Sequence, residues 1–173
     1  RMLIALDFDG TLAPIVERPE LATLPATTER ALTRLARRQD TDVAIVSGRA
    51  LEDVRTRVGL RDIFYAGNHG LEIEGPGLHE VHREAAAARP AIAACAESLR
   101  HALAGIDGVI VEDKGLTLSV HYRQAGDEAD VERVREVVSG ECAERPGLRL
   151  TRGKKVVEIR PDVAWDKGRA IRF

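Results

Sequence analysis

Hydrophobic and polar positions along the first 70 residues form short blocks that predict strands and helices in alternation. Residues 2–6 are apolar without a break, which is typical of a strand that helices cover on both faces. Four further segments continue the alternation: 25–38 (helix), 43–46 (strand), 50–58 (helix) and 63–66 (strand). This order predicts an α/β core with a parallel sheet, in which residues 2–6 form a central strand.

The pattern changes after residue 76, where a helix followed by a pair of strands occurs twice. The turn-rich stretch EGPGLHEVH (74–82) separates the two patterns. The predicted elements are helix 83–103 with strands 108–112 and 116–122, then helix 127–144 with strands 148–151 and 155–159. We therefore expect a small α+β module over 77–160, inserted into a core formed by 1–76 and 161–173.

Composition narrows the classes of partner. The chain has 173 residues, of which 44% are hydrophobic and 31% charged, and its formal net charge is −2. This balance gives no electrostatic reason to expect nucleic acid or a membrane surface as a partner, and no apolar run approaches the roughly 18 residues of a transmembrane helix. Cys95 and Cys142 are too few for a disulfide framework, so we expect free thiols and a cytoplasmic location. The sequence leaves the oligomeric state open.

The predicted strand at 2–6 leads directly into two aspartates, Asp7 and Asp9. Alternate residues of a strand share a face, so the two carboxylates can approach one cavity. Gly10 permits a tight turn after them. Two carboxylates this close are not both ionised cheaply without a cation, which predicts a bound metal, a shared proton or both. The alternative is that one aspartate caps a turn and the other is solvated.

These residues resemble the motifs of a known superfamily. DFDGTL (7–12) resembles motif I of the haloacid-dehalogenase (HAD) superfamily of phosphotransferases, Ser47 resembles the hydroxyl residue of motif II, and Lys167 resembles the motif III lysine. The module at 77–160 lies between motifs II and III, where the superfamily places a type C2 cap. The resemblance implies an α/β fold with a HAD-like Rossmannoid parallel-sheet core and an inserted α+β cap.

Further segments are similar to the trehalose-6-phosphate phosphatase family of this superfamily: VSGR (46–49), GNHGLE (67–72), VEDKGLTLSVHYR (111–123), KKVVEIRP (154–161) and DKG (166–168). The resemblance implies Mg²⁺-dependent hydrolysis of trehalose 6-phosphate through an aspartyl phosphate. Under it, Asp7 is the nucleophile and Asp9 the acid/base, while the Asp7 carboxylate and the Asp9 main-chain carbonyl bind Mg²⁺. Ser47 and Lys167 would hold the phosphoryl oxygens.

A polar set in the loops and the module is expected to bind the small-molecule sugar phosphate. Carboxylate and ammonium groups suit the hydroxyls of a sugar better than an apolar ligand. On these grounds and on the resemblance, the expected substrate-binding residues are Arg49, Asn68, His69, Glu112, Lys114 and Glu158. Arg123 is a weaker candidate.

The superfamily also carries a later acidic motif that supplies further Mg²⁺ carboxylates. The sequence ends at Phe173, six residues after Lys167, and the apolar strand at 2–6 calls for neighbouring strands on both sides. We therefore expect a fragment, or the visible part of a longer chain, that binds Mg²⁺ weakly and turns over slowly by itself. Two other functions stay open: a related HAD phosphatase for sucrose phosphate or mannosyl-phosphoglycerate, and an inactive fragment that only binds sugar phosphate.

Overall fold

The computed structural model describes residues 1–16 and 18–173, which form two compact units. The first unit comprises Arg1–His82 and Trp165–Phe173, and the second comprises Arg83–Ala164. Each unit contains a buried apolar cluster of its own. The domain boundaries expected from the sequence, at 76/77 and 160/161, stay a prediction.

Strands and helices alternate through the first part of the first unit, as the sequence predicts. The elements are β1 (Met2–Asp7), α1 (Ala26–Ala36), β2 (Thr41–Val46), α2 (Leu51–Val58), β3 (Phe64–Gly67), β4 (Glu72–Gly75) and β5 (Leu78–Val81). Within the described residues, these strands form one sheet in the order β1-β2-β3-β4-β5. The pairs β1–β2 and β2–β3 are parallel, and the remaining two pairs are antiparallel.

Helix α2 packs on this sheet through apolar side chains. Val54 of α2 is buried in one cluster with Val43 and Ile45 of β2 and with Tyr65 of β3. Strand β2 lies between two parallel neighbours, and this position explains its run of apolar residues. Gly59 ends α2 in the left-handed conformation at φ 68°, where glycine is favoured.

Two features of this sheet differ from the expectation. Residues 74–82 do not form a break, because β4 and β5 make an antiparallel hairpin that extends the sheet. The sequence does not reveal this hairpin, since LHEV (78–81) lacks the apolar alternation on which a strand prediction rests. Strand β1, which the sequence predicts to be central, lies at the edge of the sheet, and Met2 and Leu3 are 56% and 45% exposed there.

The second unit has the predicted repeat of a helical segment followed by a pair of strands. Its elements are α3 (Arg83–Ala87), α4 (Arg89–Ala102), β6 (Ile110–Asp113), β7 (Leu118–His121), α5 (Glu128–Ala143), β8 (Leu148–Gly153) and β9 (Val156–Pro161). Within the described residues, the strands form one antiparallel sheet in the order β6-β7-β9-β8. Leu99 of α4 and Val134 of α5 are buried in one cluster with Val120 and Ile159 of the sheet.

The chain then returns to the first unit with α6 (Lys167–Arg172). Asp166 caps this helix, because its side chain accepts a hydrogen bond from the Arg169 N–H at 2.8 Å. Trp165 donates from Nε1 to the Gly70 carbonyl at 2.7 Å. Gly70 has φ 88°, and a Cβ there would lie 2.3 Å from the Cβ of Ala170. Only glycine therefore allows α6 to lie this close to the loop after β3.

Both cysteines, which the composition predicts to be free thiols, lie in the second unit. Cys95 and Cys142 are free and buried, as predicted. Burial raises the pKa of Cys95 to about 11 and also raises the pKa of Cys142. In the described part of the chain, none of the helices has the length and apolar character that crossing a membrane requires.

Candidate active site

The carboxyl ends of the three parallel strands carry most of the residues expected in the catalytic site. Asp7 is the last residue of β1, Ser47 directly follows β2, and Asn68 directly follows β3. Parallel strands end at one edge of their sheet, so the fold brings these positions together. Open α/β sheets bind ligands at this edge.

The turn after β1 explains how two acids are presented at the end of an apolar strand. The N–H groups of Leu12 and Ala13 both donate to the carbonyl of Phe8, at 3.0 and 2.9 Å. The Phe8 side chain lies fully buried in the core of the first unit. The carboxylates on either side of it, Asp7 and Asp9, remain 43% and 41% exposed. Burial of Phe8 thus anchors the turn, while both acids stay accessible to a ligand.

Asp7 is paired with the lysine that the sequence predicts for this site. Lys167 Nζ lies 2.6 Å from Asp7 Oδ1, although 160 positions separate the two residues in the sequence. Lys167 is the first residue of α6, and the Asp166 cap and the Trp165–Gly70 bond fix the start of that helix. The ammonium group therefore lies where it can neutralise an anion beside the carboxylate.

Asp9 is paired with Arg49, which the sequence analysis expected to bind substrate. Arg49 donates from Nε to Asp9 Oδ2 at 2.9 Å and from Nη2 to Asp9 Oδ1 at 2.7 Å. Burial alone would lower the pKa of the Arg49 guanidinium, but Asp9 and Asp53 more than offset this effect and raise its pKa. The guanidinium therefore stays charged, and the structure turns it towards two carboxylates.

The loops after β2 and β3 are joined by main-chain hydrogen bonds. The Asn68 N–H donates to the Arg49 carbonyl at 2.7 Å, and the His69 N–H donates to the Ser47 carbonyl at 2.8 Å. The Ser47 hydroxyl is buried and accepts a hydrogen bond from the Arg49 N–H at 3.1 Å. A hydroxyl that accepts in this way still has its own proton to donate. The expected roles of Ser47, Asn68 and His69 in binding the ligand stay predictions.

Two residues of this loop pair have unusual backbone conformations. Asn68 and His69 have φ 49° and 61°, in the left-handed region that few residues other than glycine adopt. The His69 ring lies against Gly48, where a Cβ would be 2.7 Å from Cε1 of the ring. Such conformations concentrate at functional sites, and here they bring an imidazole next to the VSGR turn.

The second unit places two of its three expected binding residues, Glu112 and Glu158, on one face of its sheet, and Lys114 follows directly after β6. Glu112, Ser119 and Glu158 lie directly opposite one another in the strand register, on the face away from the helices. Lys114 Nζ lies 3.1 Å from Glu158 Oε1, and the Ser119 hydroxyl donates to the same oxygen at 3.3 Å. His121 Nε2 lies 2.8 Å from Glu112 Oε2. The exposed Arg123 side chain instead donates to the Lys154 carbonyl.

Sequence reasoning missed four polar residues that support these positions. They are Ser119 and His121 on β7, and Asp53 and Arg57 on α2. Two signals could have revealed them. The alternation of polar and apolar residues in LSVH (118–121) puts Ser119 and His121 on one face, and the four-residue spacing of 49, 53 and 57 predicts a row of charges along a helix.

The end of β1 carries oxygen donors of the kind that bind divalent cations. Such an ion takes oxygen ligands and is commonly bound through one or two carboxylates, with water and phosphate oxygens completing its shell. The Asp7 carboxylate and the main-chain carbonyl of Asp9 are the oxygens that the motif offers. Within the described residues, His, Cys, Asp and Glu side chains do not gather into a metal-binding group of three or more.

Comparison with known proteins agrees with this geometry. Residues 5–173 match the family model described as trehalose-phosphatase. The trehalose-phosphate phosphatase of Mycobacterium marinum is 45% identical over 176 residues, which cover all of this chain and 44% of that protein. The chain therefore spans less than half the length of that curated relative.

Solved structures show the same fold. A trehalose-6-phosphate phosphatase related protein superposes with a TM-score of 0.82 at 25% identity, over 99% of this chain and 72% of that one. The C-terminal domain of Candida albicans trehalose-6-phosphate phosphatase superposes with a TM-score of 0.79 at 24% identity, over 99% and 60% of the two chains. The fold is thus the expected HAD-like core with an α+β cap. With the family match over residues 5–173, it follows that the chain belongs to the trehalose-phosphatase family.

Proposed function

We propose that the protein containing this chain is a phosphoric monoester hydrolase that converts trehalose 6-phosphate into trehalose and phosphate. The observation that carries the proposal is the arrangement at the end of β1. There, Asp7 and Asp9 lie on either side of a buried phenylalanine, and Lys167 Nζ lies 2.6 Å from Asp7 Oδ1. Family membership and the names of the relatives support the choice of substrate.

In the first step, a carboxylate oxygen of Asp7 attacks the phosphorus. The bond between phosphorus and the sugar oxygen breaks, and Asp9 delivers a proton to that leaving oxygen. A phosphate monoester is dianionic, so it repels the attacking carboxylate. Lys167 lowers this repulsion because its ammonium group lies 2.6 Å from the Asp7 carboxylate, where it would also contact the phosphoryl oxygens of a bound ester.

In the second step, Asp9 takes a proton from a water molecule, whose oxygen attacks the phosphorus. The bond between Asp7 and phosphorus breaks, which restores the carboxylate and releases inorganic phosphate. One aspartate therefore serves as acid and then as base, and the other carries the phosphoryl group between the two steps.

HAD phosphatases generally use a divalent metal, and we infer that Mg²⁺ is bound here by the Asp7 carboxylate and the Asp9 main-chain carbonyl. When bound, the ion would neutralise charge on the phosphoryl oxygens. Omission of Mg²⁺ or addition of a chelator should abolish hydrolysis, and re-addition of Mg²⁺ should restore it. Hydrolysis that persists in excess chelator would contradict the metal requirement.

The polar face of the second unit is our candidate for recognition of the sugar. Glu112, Lys114 and Glu158 offer carboxylate and ammonium groups, which bind hydroxyls well. Asn68 and His69 are the candidates in the first unit. We also propose a cytoplasmic location, which the two buried free thiols support.

The test is phosphate release from trehalose 6-phosphate by the full-length protein, measured beside sucrose phosphate, mannosyl-phosphoglycerate and small phosphate esters. We expect trehalose 6-phosphate to give the highest kcat/KM, and Asp7→Asn to abolish turnover. Equal rates on many small esters would rule out the proposed substrate.

A second candidate is a protein that binds sugar phosphate without hydrolysing it. The observation in its favour is that both carboxylates already have cationic partners, Lys167 and Arg49, at 2.6 and 2.7 Å. Calorimetric titration separates the two functions. The binding-only candidate predicts that wild type and Asp7→Asn both bind trehalose 6-phosphate and that neither releases phosphate.

A further inference from the structure

We propose that Arg49 and Asp53 are positioning residues that hold Asp9 in place for proton transfer. The inference rests on the proposed function, because it assigns a task to the groups behind the acid/base carboxylate. It also gives Arg49 a role other than the substrate binding expected from the sequence.

The first link is the pair of hydrogen bonds between Arg49 and Asp9. Nε and Nη2 each donate to a different carboxylate oxygen, at 2.9 and 2.7 Å. A planar guanidinium that engages both oxygens fixes the plane of the carboxylate as well as its position. Each oxygen keeps a further lone pair, so Asp9 can still exchange a proton with a ligand while Arg49 holds it.

The second link holds the guanidinium itself. Nη1 donates to Asp53 Oδ2 at 2.8 Å, and Nη2 also donates to the Pro19 carbonyl at 2.9 Å. The Phe8 ring lies on one side, with its centroid 5.3 Å from Arg49 Cζ. The Arg49 side chain is only 9% exposed. A buried guanidinium with acceptors in several directions has few alternative rotamers.

The third link anchors Asp53 to the rest of the first unit. Arg57 Nε donates to both carboxylate oxygens of Asp53, at 2.8 and 2.9 Å. Arg57 Nη1 donates to the Ala22 carbonyl at 2.7 Å. Burial alone would raise the pKa of Asp53, but Arg57 and Arg49 more than offset it, and this pKa is lowered. Asp53 therefore remains a charged acceptor for both arginines.

The number of donors argues against direct binding of substrate by Arg49. A guanidinium has five N–H groups. Protein acceptors take four of them here, one on Nε, two on Nη2 and one on Nη1. To gain two bonds from this side chain, a phosphoryl oxygen would have to displace Asp9, Asp53 or the Pro19 carbonyl, so the geometry favours positioning.

The test uses the full-length protein with Asp53→Asn, which keeps the shape of the side chain and removes its charge. Two substrates are compared: trehalose 6-phosphate, whose sugar oxygen needs a proton to leave, and p-nitrophenyl phosphate, whose nitrophenolate leaves without one. On trehalose 6-phosphate we expect kcat to fall roughly tenfold to a hundredfold, part of what general acid–base catalysis contributes. KM should stay within about twofold, because Asp53 acts through Arg49 and Asp9.

The first turnover of p-nitrophenyl phosphate separates positioning from a general structural role. Release of the first nitrophenolate should stay within about twofold of wild type, because that step needs no acid. The following turnovers should be slow, since the second step still needs Asp9 as a base. The variant should therefore show a burst of nitrophenolate. A misplaced Asp7 would instead slow the first turnover as well.

Two further variants complete the design. Glu52→Gln is the matched control, because Glu52 lies on the same helix, is 73% exposed and accepts a hydrogen bond from Arg55 instead of Arg49. Its kinetics should equal those of wild type. Arg49→Lys keeps the positive charge but loses the planar guanidinium that binds both oxygens of Asp9. We therefore expect it to lower kcat on trehalose 6-phosphate and to show the same burst of nitrophenolate.

Several outcomes would overturn the positioning role. One is an unchanged kcat in Asp53→Asn. Another is a first-turnover rate of Asp53→Asn that falls equally on trehalose 6-phosphate and on p-nitrophenyl phosphate. The third is a raised KM with unchanged kcat in Arg49→Lys. If Asp53→Asn does not fold, as judged by its thermal unfolding, Arg49→Lys provides the test. A burst of nitrophenolate in that variant supports the positioning role, and the absence of a burst overturns it. A wild-type protein that hydrolyses neither ester overturns the proposed function together with this inference, whereas an active wild type with unaffected variants overturns the inference alone.

Discussion

At the scale of single residues, the two carboxylates of the candidate site have cationic partners of different character. Lys167 is 37% exposed and contacts Asp7 through one atom, whereas Arg49 is 9% exposed and engages both oxygens of Asp9. A lysine carries a compact ammonium charge on a flexible side chain, whereas the guanidinium of an arginine is planar and holds its donors in a fixed arrangement. Lys167 can therefore turn to a phosphoryl oxygen, while Arg49 keeps its contact with Asp9.

The role of Lys167 leads to a prediction for Lys167→Met, which keeps the length of the side chain and removes its charge. We expect kcat/KM on trehalose 6-phosphate to fall about 10²–10³-fold, the usual loss when a group that stabilises charge in the transition state is removed. Initial rates of phosphate release measure it. Arg172→Gln on the same helix is exposed and should leave the rate unchanged. A loss below about threefold in Lys167→Met would contradict the role.

Glu158 leads to a second prediction at this scale. Glu158→Gln keeps an acceptor for Lys114 and Ser119 but removes the charge. We expect KM for trehalose 6-phosphate to rise roughly tenfold, since hydrogen bonds to charged groups contribute about 1.5–3 kcal/mol. The kinetics on p-nitrophenyl phosphate should be unchanged because that ester has no sugar. Glu132→Gln, an exposed change on α5, is the control. An equal effect on both esters would argue against sugar recognition.

At the scale of secondary-structure elements, the sequence predicts the helices and strands that have a clear local pattern of apolar and polar residues. The apolar runs of β1 to β3 and the spacing of α1 and α2 indicate these elements, and DFDGTL indicates the site. The sequence does not predict the hairpin of β4 and β5, because its strands carry little apolar periodicity. Strand β4 joins the sheet by pairing with β3, and β5 by pairing with β4. The contact of Arg49 with Asp9 also escapes, since it joins residues 40 positions apart.

The docking of α6 gives a prediction at this scale. Gly70→Ala would place a Cβ 2.3 Å from the Cβ of Ala170, so it should displace the helix that carries Lys167 and lower kcat at least tenfold. Gly77→Ala is the matched control, because Gly77 also has a positive φ, at 72°, but a Cβ there meets nothing within 4 Å. It should cost about 1 kcal/mol of unfolding free energy and leave kcat unchanged. Equal kcat in the two variants would contradict the docking argument.

At the scale of the whole molecule, the buried apolar residues form separate clusters within the two units. The cluster of the second unit contains Leu99 and both cysteines, and the cluster of the first contains Leu32. Contacts that lie within one unit stabilise that unit directly, so each unit can open as a cooperative segment of its own. The two thiols are therefore natural reporters of opening in the second unit.

Thiol labelling of the full-length protein tests this arrangement. Cys95 and Cys142 are buried, so a labelling reagent reaches them only when the second unit opens. Burial also raises the pKa of Cys95 to about 11, and a thiol reacts as the thiolate, so this cysteine reacts slowly near neutral pH while it is buried. Leu99→Ala should cost about 2–5 kcal/mol in that unit, which corresponds to roughly 30-fold to several-thousand-fold faster labelling at tenfold per 1.4 kcal/mol. Leu32→Ala, the same change in the first unit, should leave the labelling rate unchanged. If Leu32→Ala accelerates labelling as much as Leu99→Ala does, the two units open as one.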